Sequence, residues 1–76
     1  MNIPLDQLPQ TLRQLRQTQG LHLKTIAQKA NTSTGTVSHH ERGIRNSIHT
    51  NARIARALGY ELRIDLQPIS TFDTIA

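Results

Sequence analysis

Apolar residues in this chain recur first at the spacing of helices and then, towards the end, at the spacing of a strand. Leu8, Leu12 and Leu15 fall at i, i+4 and i+7, one face of a helix with Pro9 in its opening turn and Gly20 as its stop. Leu23, Ile26, Ala27 and Ala30 repeat the pattern and halt at Asn31, a residue that tolerates the left-handed backbone. Ser33 is placed as the N-cap of a third helix, whose inward stripe is predicted to be Val37, His40 and Ile44, with Gly43 near its end. Ser47 caps a fourth, predicted to bury Ile48, Ala52, Ala55 and Leu58 before Gly59. Short turns join all four.

After Gly59 the period drops to two. In YELRIDLQ, Tyr60, Leu62, Ile64 and Leu66 alternate with Glu61, Arg63, Asp65 and Gln67, the signature of a strand with one apolar face, closed by Pro68. One strand cannot satisfy its own backbone groups, and the chain offers no second. The same strand of another copy, paired antiparallel about a two-fold axis, is therefore the expected partner. The remainder, ISTFDTIA, is expected to be a loose, flexible tail, although Ile69, Phe72 and Ile75 at three-residue spacing would also suit a docked apolar edge.

Length strengthens the dimer expectation. At 76 residues the chain is a single domain near the lower size at which an apolar core suffices, and without cysteine it has neither disulfides nor thiolate metal sites. Extra apolar burial at an interface would add to a stability of roughly 4–11 kcal/mol. No apolar run reaches membrane-spanning length and MNIPLDQLPQ lacks the features of a signal peptide, so a cytoplasmic protein is expected. Charge is uneven. Residues 1–60 hold eight Lys/Arg against Asp6 and Glu41, a net +6, whereas 61–76 hold Arg63 against Glu61, Asp65 and Asp73, a net −2. A basic body suits a polyanionic partner, as it does in many merely soluble basic proteins.

The stretch TSTGTVSHHERG, residues 32–43, concentrates polar chemistry. As helix neighbours, His39 and His40 diverge by about 100° and cannot hold one metal ion from the same face. No HExxH spacing exists, and His22 and His49 pair locally with neither, so no metal and no cofactor is expected. His40 belongs to the inward stripe and reads as a packed, hydrogen-bonded core histidine. No Ser-His-Asp order, carboxylate pair or phosphate-cradling glycine loop can be placed, which argues against an enzyme.

A short helix, a turn through Asn31-Thr32-Ser33 and a second short helix form a helix-turn-helix layout. From Leu12 to Gly59 the chain resembles the Cro/phage-repressor-like helix-turn-helix family, also called the xenobiotic-response-element family. The resemblance rests on the LRxLRxxxGL opening, the Ile26-Ala27 pair, Ser33, the VS pair at 37–38, ERG at 41–43 and the closing RIARALG at 53–59. It covers about two-thirds of the chain. Asn31 replaces the usual turn glycine, Leu23 a common Gln, and Asn51 an apolar residue, which implies a thinner core on helix four. The strand after Gly59 stands where phage repressors have a fifth helix, and ALGYELRIDLQP resembles the HipB-type antitoxin branch, in which dimers form through an intermolecular two-stranded sheet.

The resemblance implies roles. Helix three becomes the recognition helix, because the major groove admits one helix whose N-terminal side chains reach base edges. Thr34, Gly35, Ser38 and His39 would face bases, and His22, Thr36, Arg42, Arg45 and Asn46 would meet phosphates. Gly35 costs the helix about 1 kcal/mol relative to Ala, which suits close approach of backbone to DNA, or is simply tolerated. Arg16 and Glu41 resemble the family's ion pair between helices one and three, and Arg53 and Arg56 read as solvated surface charges.

The expected fold is mostly α: a four-helix helix-turn-helix DNA-binding domain over residues 1–59, a strand over 60–68 pairing across a homodimer, and a tail over 69–76. The expected function is a sequence-specific repressor of a palindromic double-stranded DNA operator, as the antitoxin of a toxin-antitoxin operon that also binds its toxin. A prophage or restriction-modification type regulator without a toxin partner is the first alternative, and a protein-binding adaptor on the same fold the second. Selection of a palindrome from random DNA favours either regulator over the adaptor; a co-purifying polypeptide favours the antitoxin.

Overall fold

The computed structural model describes residues 2–69. A single 3-10 turn, Leu5–Gln7, runs straight into helix α1, Leu8–Thr18, and is followed by α2, Leu23–Lys29, α3, Thr34–Glu41, and α4, Ile48–Ala57. Every regular element among the described residues is helical. Helix α3 packs against α1 and α2, and α4 lies mainly on α1 and α2.

All four helices stop alike. Gly20, Asn31, Gly43 and Gly59 take positive φ of 69°, 55°, 73° and 89°, and the following amides of Leu21, Thr32, Ile44 and Tyr60 reach back five residues to Arg16, Ala27, His39 and Ala55. These bonds satisfy carbonyls that a helix end leaves open. Asn31 therefore does in the α2–α3 turn what glycine does at the other three ends. At the starts of α3 and α4, Ser33 and Ser47 are the N-caps, their hydroxyls accepting from the amides of Thr36 and Thr50.

The core is built from Leu8 and Leu12 of α1, Ile26 and Ala27 of α2 with Ala30 at its end, Val37 of α3, and Ile54, Ala55 and Leu58 from α4 and its end. Leu15, Leu21 and Leu23 pack half-buried at its edge. Each fully buried Leu, Ile or Val contributes about 1.5–3 kcal/mol relative to an exposed one.

Two predicted stripes are corrected. Ile44 is 59% exposed, because α3 ends at Glu41 and the positive-φ turn at Gly43 removes the following residue from the helical face. Its expected place on the inner face is taken by Glu41, four residues after Val37. On α4 the buried stripe is Asn51, Ile54, Ala55 and Leu58, leaving Ile48 39% exposed and Ala52 half-buried. Both stripes contain Ala55 and Leu58. The observed one adds the larger Ile54 in exchange for burying Asn51, whose Nδ2 donates to Asn46 Oδ1 at 2.9 Å while its own Oδ1 has no partner.

Residues 60–69 carry no strand. After the Tyr60 amide has bonded to α4, none of 61–69 makes a backbone hydrogen bond with another described residue. Leu62 packs against the core edge, whereas Tyr60, Ile64, Leu66 and Ile69 are exposed. Isolated in one chain, a strand has no ladder to join. The tail expected over 69–76 lies, beyond Ile69, outside the described residues. Among the described residues no helix is long and apolar enough to cross a membrane.

Candidate nucleic-acid interface

Helix α3 has eight residues, too few to be stable by propensity alone, so its orientation depends on what its inner face touches. That face carries three different chemistries. Val37 is fully buried in the core. His40, 2% exposed, has Nδ1 2.8 Å from the Thr36 carbonyl oxygen and Nε2 3.3 Å from the Ser47 amide. A carbonyl only accepts and an amide only donates, so the proton sits on Nδ1 and Nε2 accepts. His40 thereby ties the end of α3 to the N-cap of α4. The third group, the Glu41 carboxylate, receives Arg16 Nε at 2.8 Å and Nη2 at 3.1 Å, while Arg16 Nη1 donates to the Leu21 carbonyl oxygen at 2.9 Å. With side chains 14% and 4% exposed, this is a largely desolvated, forked pair that fixes α3 against α1 and the chain entering α2.

The outer flank follows from that rotation. Thr34, Gly35 and Arg42 are exposed, and Ser38 and His39 half-buried beside them. A Cβ on Gly35 would meet nothing within 4 Å, so packing inside the chain does not call for glycine there. Thr36 is half-buried, its hydroxyl 2.8 Å from Ser33 Oγ. His22 is exposed at the head of α2, and Arg45 and Asn46 are exposed in the connection to α4, where the side-chain Oδ1 of Asn46 accepts from Asn51. The outer-flank residues of α3 thus form one surface, with His22 on a separate helix and Arg45 and Asn46 beyond the helix end. Among the described residues no group of three or more His, Asp or Glu converges as a metal site requires.

Two arginines take places in the fold that were not expected of them. Arg13 borders, with Arg42 and Ser38, a shallow groove between α1, α2 and α3 whose wall is the Arg16–Glu41 pair. Its signal was present: Arg13 stands three residues before Arg16, so whatever brings Arg16 to α3 brings Arg13 near it. Arg53, read as a solvated charge, is corrected. Its Nη2 donates to the carbonyl oxygens of Ala30 and Asn31, main-chain groups more than twenty residues away that no side-chain pattern encodes.

A family model described as "Helix-turn-helix domain" matches residues 7–63, all four helices and the first residues after them. The chain belongs to this helix-turn-helix family. No curated protein and no solved structure matches it significantly. For a helix-turn-helix protein, α2 and α3 are the motif's two helices, Asn31 to Ser33 its turn, and double-stranded DNA the class of partner.

Proposed function

We propose that this helix-turn-helix protein is a homodimeric, sequence-specific repressor of the Cro/phage-repressor-like kind, and within it the antitoxin of a toxin-antitoxin operon that represses its own operon and binds its toxin. Thr34, Gly35, Ser38 and His39 read bases in the major groove, and His22, Thr36, Arg42, Arg45 and Asn46, joined by Arg13, meet phosphates. The exposed, capped outer flank of α3 supports this assignment. Among the phosphate contacts, Arg13, Arg42 and Arg45 are flexible cations around that flank, which add affinity without reading sequence.

The observation that carries the dimeric, antitoxin-type reading is the segment after Gly59. Tyr60, Ile64 and Leu66 are 44%, 66% and 92% exposed on a stretch of period two in which the amides from Glu61 to Gln67 have no backbone partner among the described residues. Pairing residues 60–68 antiparallel with a second copy would supply the missing backbone ladder and set the two apolar faces side by side, where their side chains pack as cross-strand pairs. A two-fold dimer then presents two copies of α3 to one side of the duplex.

Selection from a random duplex pool tests the reading. The expected product is a palindrome with half-sites about one helical turn, roughly 34 Å, apart. Expression together with the adjacent open reading frame is expected to give a stable complex with its product. Enrichment of unpaired half-sites, or of no sequence at all, would overturn the dimeric repressor; a palindrome without a protein complex leaves a plain regulator.

A further inference from the structure

Helix α3 is held at its far end by His40 and Ser47, but its first turn, where Thr34 and Gly35 stand, follows directly from the α2–α3 turn. That turn has its own tether. Its amides are settled locally, Asn31 N–H on Gln28 and Thr32 N–H on Ala27. The carbonyls of Ala30 and Asn31 instead receive the Arg53 guanidinium, reaching across from α4. A helix end exposes open carbonyls and partial negative charge, and water would satisfy both in an exposed turn. A planar cation anchored on a packed helix does more, because it fixes the turn relative to the core. Arg53 is half-buried on α4, next in the chain to the fully buried Ile54, so it is carried by a helix anchored in the core.

We propose that Arg53 is a positioning residue for DNA recognition: its hold on the Ala30 and Asn31 carbonyls sets the α2–α3 turn and with it the first turn of α3, without contact to DNA. This rests on the DNA-binding reading above. The competing role is direct. Arg53 shares a shallow basic depression with Lys29, His49 and Arg56, and a phosphate could be met there instead.

The two roles separate experimentally. The probes are the duplex enriched by the wild-type protein from a random pool and an unrelated duplex of equal length. Arg53→Met keeps the stem and removes the donors; Arg53→Lys keeps the charge on a shorter reach; Arg56→Met is the control on the same depression. Positioning predicts that Arg53→Met binds the enriched duplex roughly tenfold more weakly, that its preference over the unrelated duplex falls, and that its salt slope matches wild type. Arg53→Lys falls in between, Arg56→Met is unchanged, and amide exchange of Thr32 to Thr36 in the DNA-free Arg53→Met protein is faster. Should Arg53→Met fail to fold, the same comparison is made on Arg53→Lys. A salt slope reduced by about 0.9 per protomer in Arg53→Met and kept in Arg53→Lys shows a phosphate contact and overturns the proposal. Unchanged affinity and preference in both variants overturn it too. If wild type enriches no duplex, the DNA reading fails and the proposal with it, while amide exchange still reports whether Arg53 holds the turn.

Discussion

Arg16 and Glu41, twenty-five positions apart, meet through two hydrogen bonds of 2.8 and 3.1 Å, with the third arm of the guanidinium on the Leu21 carbonyl. An exposed pair is worth under about 1 kcal/mol, whereas removing one partner of a buried pair costs about 3–5 kcal/mol because the other charge is stranded. With the Glu41 side chain 4% exposed, the second regime governs. Glu41→Ala is expected to lose about 3 kcal/mol in urea denaturation, and the double replacement Arg16→Met with Glu41→Leu to recover most of it. A loss below about 1 kcal/mol for Glu41→Ala would place the pair among surface contacts.

Asn51 is fully buried with an unpartnered Oδ1. Leucine has the same branched shape and number of side-chain heavy atoms, and Asn46, left without its donor, is exposed to water. Asn51→Leu is expected to stabilise the fold by about 1–2 kcal/mol, the cost of one unsatisfied buried acceptor. Calorimetry should show a melting temperature higher by roughly 5–10 °C. A lower one would mean that the Asn46–Asn51 bond holds the start of α4 in place.

Gly35 offers a substitution with opposite signs in two assays. Since a Cβ there meets nothing, Gly35→Ala is expected to raise stability by about 0.5–1 kcal/mol. If the α3 backbone approaches DNA closely, the same methyl weakens binding. A variant that is more stable and binds the enriched duplex as tightly as wild type assigns Gly35 no role at the interface.

Base-reading and phosphate-meeting residues differ in what they do to specificity. Thr34→Ala and His39→Ala are each expected to cost about 1–3 kcal/mol on the preferred duplex and to relax base preference. Arg45→Ala should weaken all duplexes alike and lower the salt slope by about one per protomer. Competition binding across a salt series distinguishes them, and no change in either helix variant would move the recognition surface elsewhere.

In the paired arrangement proposed above, Ile64, 66% exposed in the single chain, would pack beside the side chains of the partner strand. Ile64→Asp is expected to yield a monomer by light scattering at micromolar concentration and to abolish specific DNA binding although α3 is untouched, because one half-site carries half the contacts. A dimeric Ile64→Asp protein with full affinity would locate the interface away from residues 60–68.

Features set by neighbours within a turn or two could be read from the residues alone. Four helices, their stops at Gly20, Asn31, Gly43 and Gly59, and the serine caps of α3 and α4 were legible because capping and backbone conformation are local. The inward faces of α1 and α2 were legible too, since aliphatic residues leave one choice of stripe. Helix α4 offered two stripes sharing Ala55 and Leu58, and only packing decided that burying Ile54 outweighs exposing Ile48 and burying Asn51. The inner face of α3 was half visible: Val37 and His40 followed the period, but Ile44 fell beyond the helix end and a charged Glu41 went inward because Arg16 meets it there. Arg53 was illegible for the plainest reason. Its partners are backbone carbonyls on another helix end, and every residue type carries a carbonyl, so only the tertiary fold selects which ones it finds.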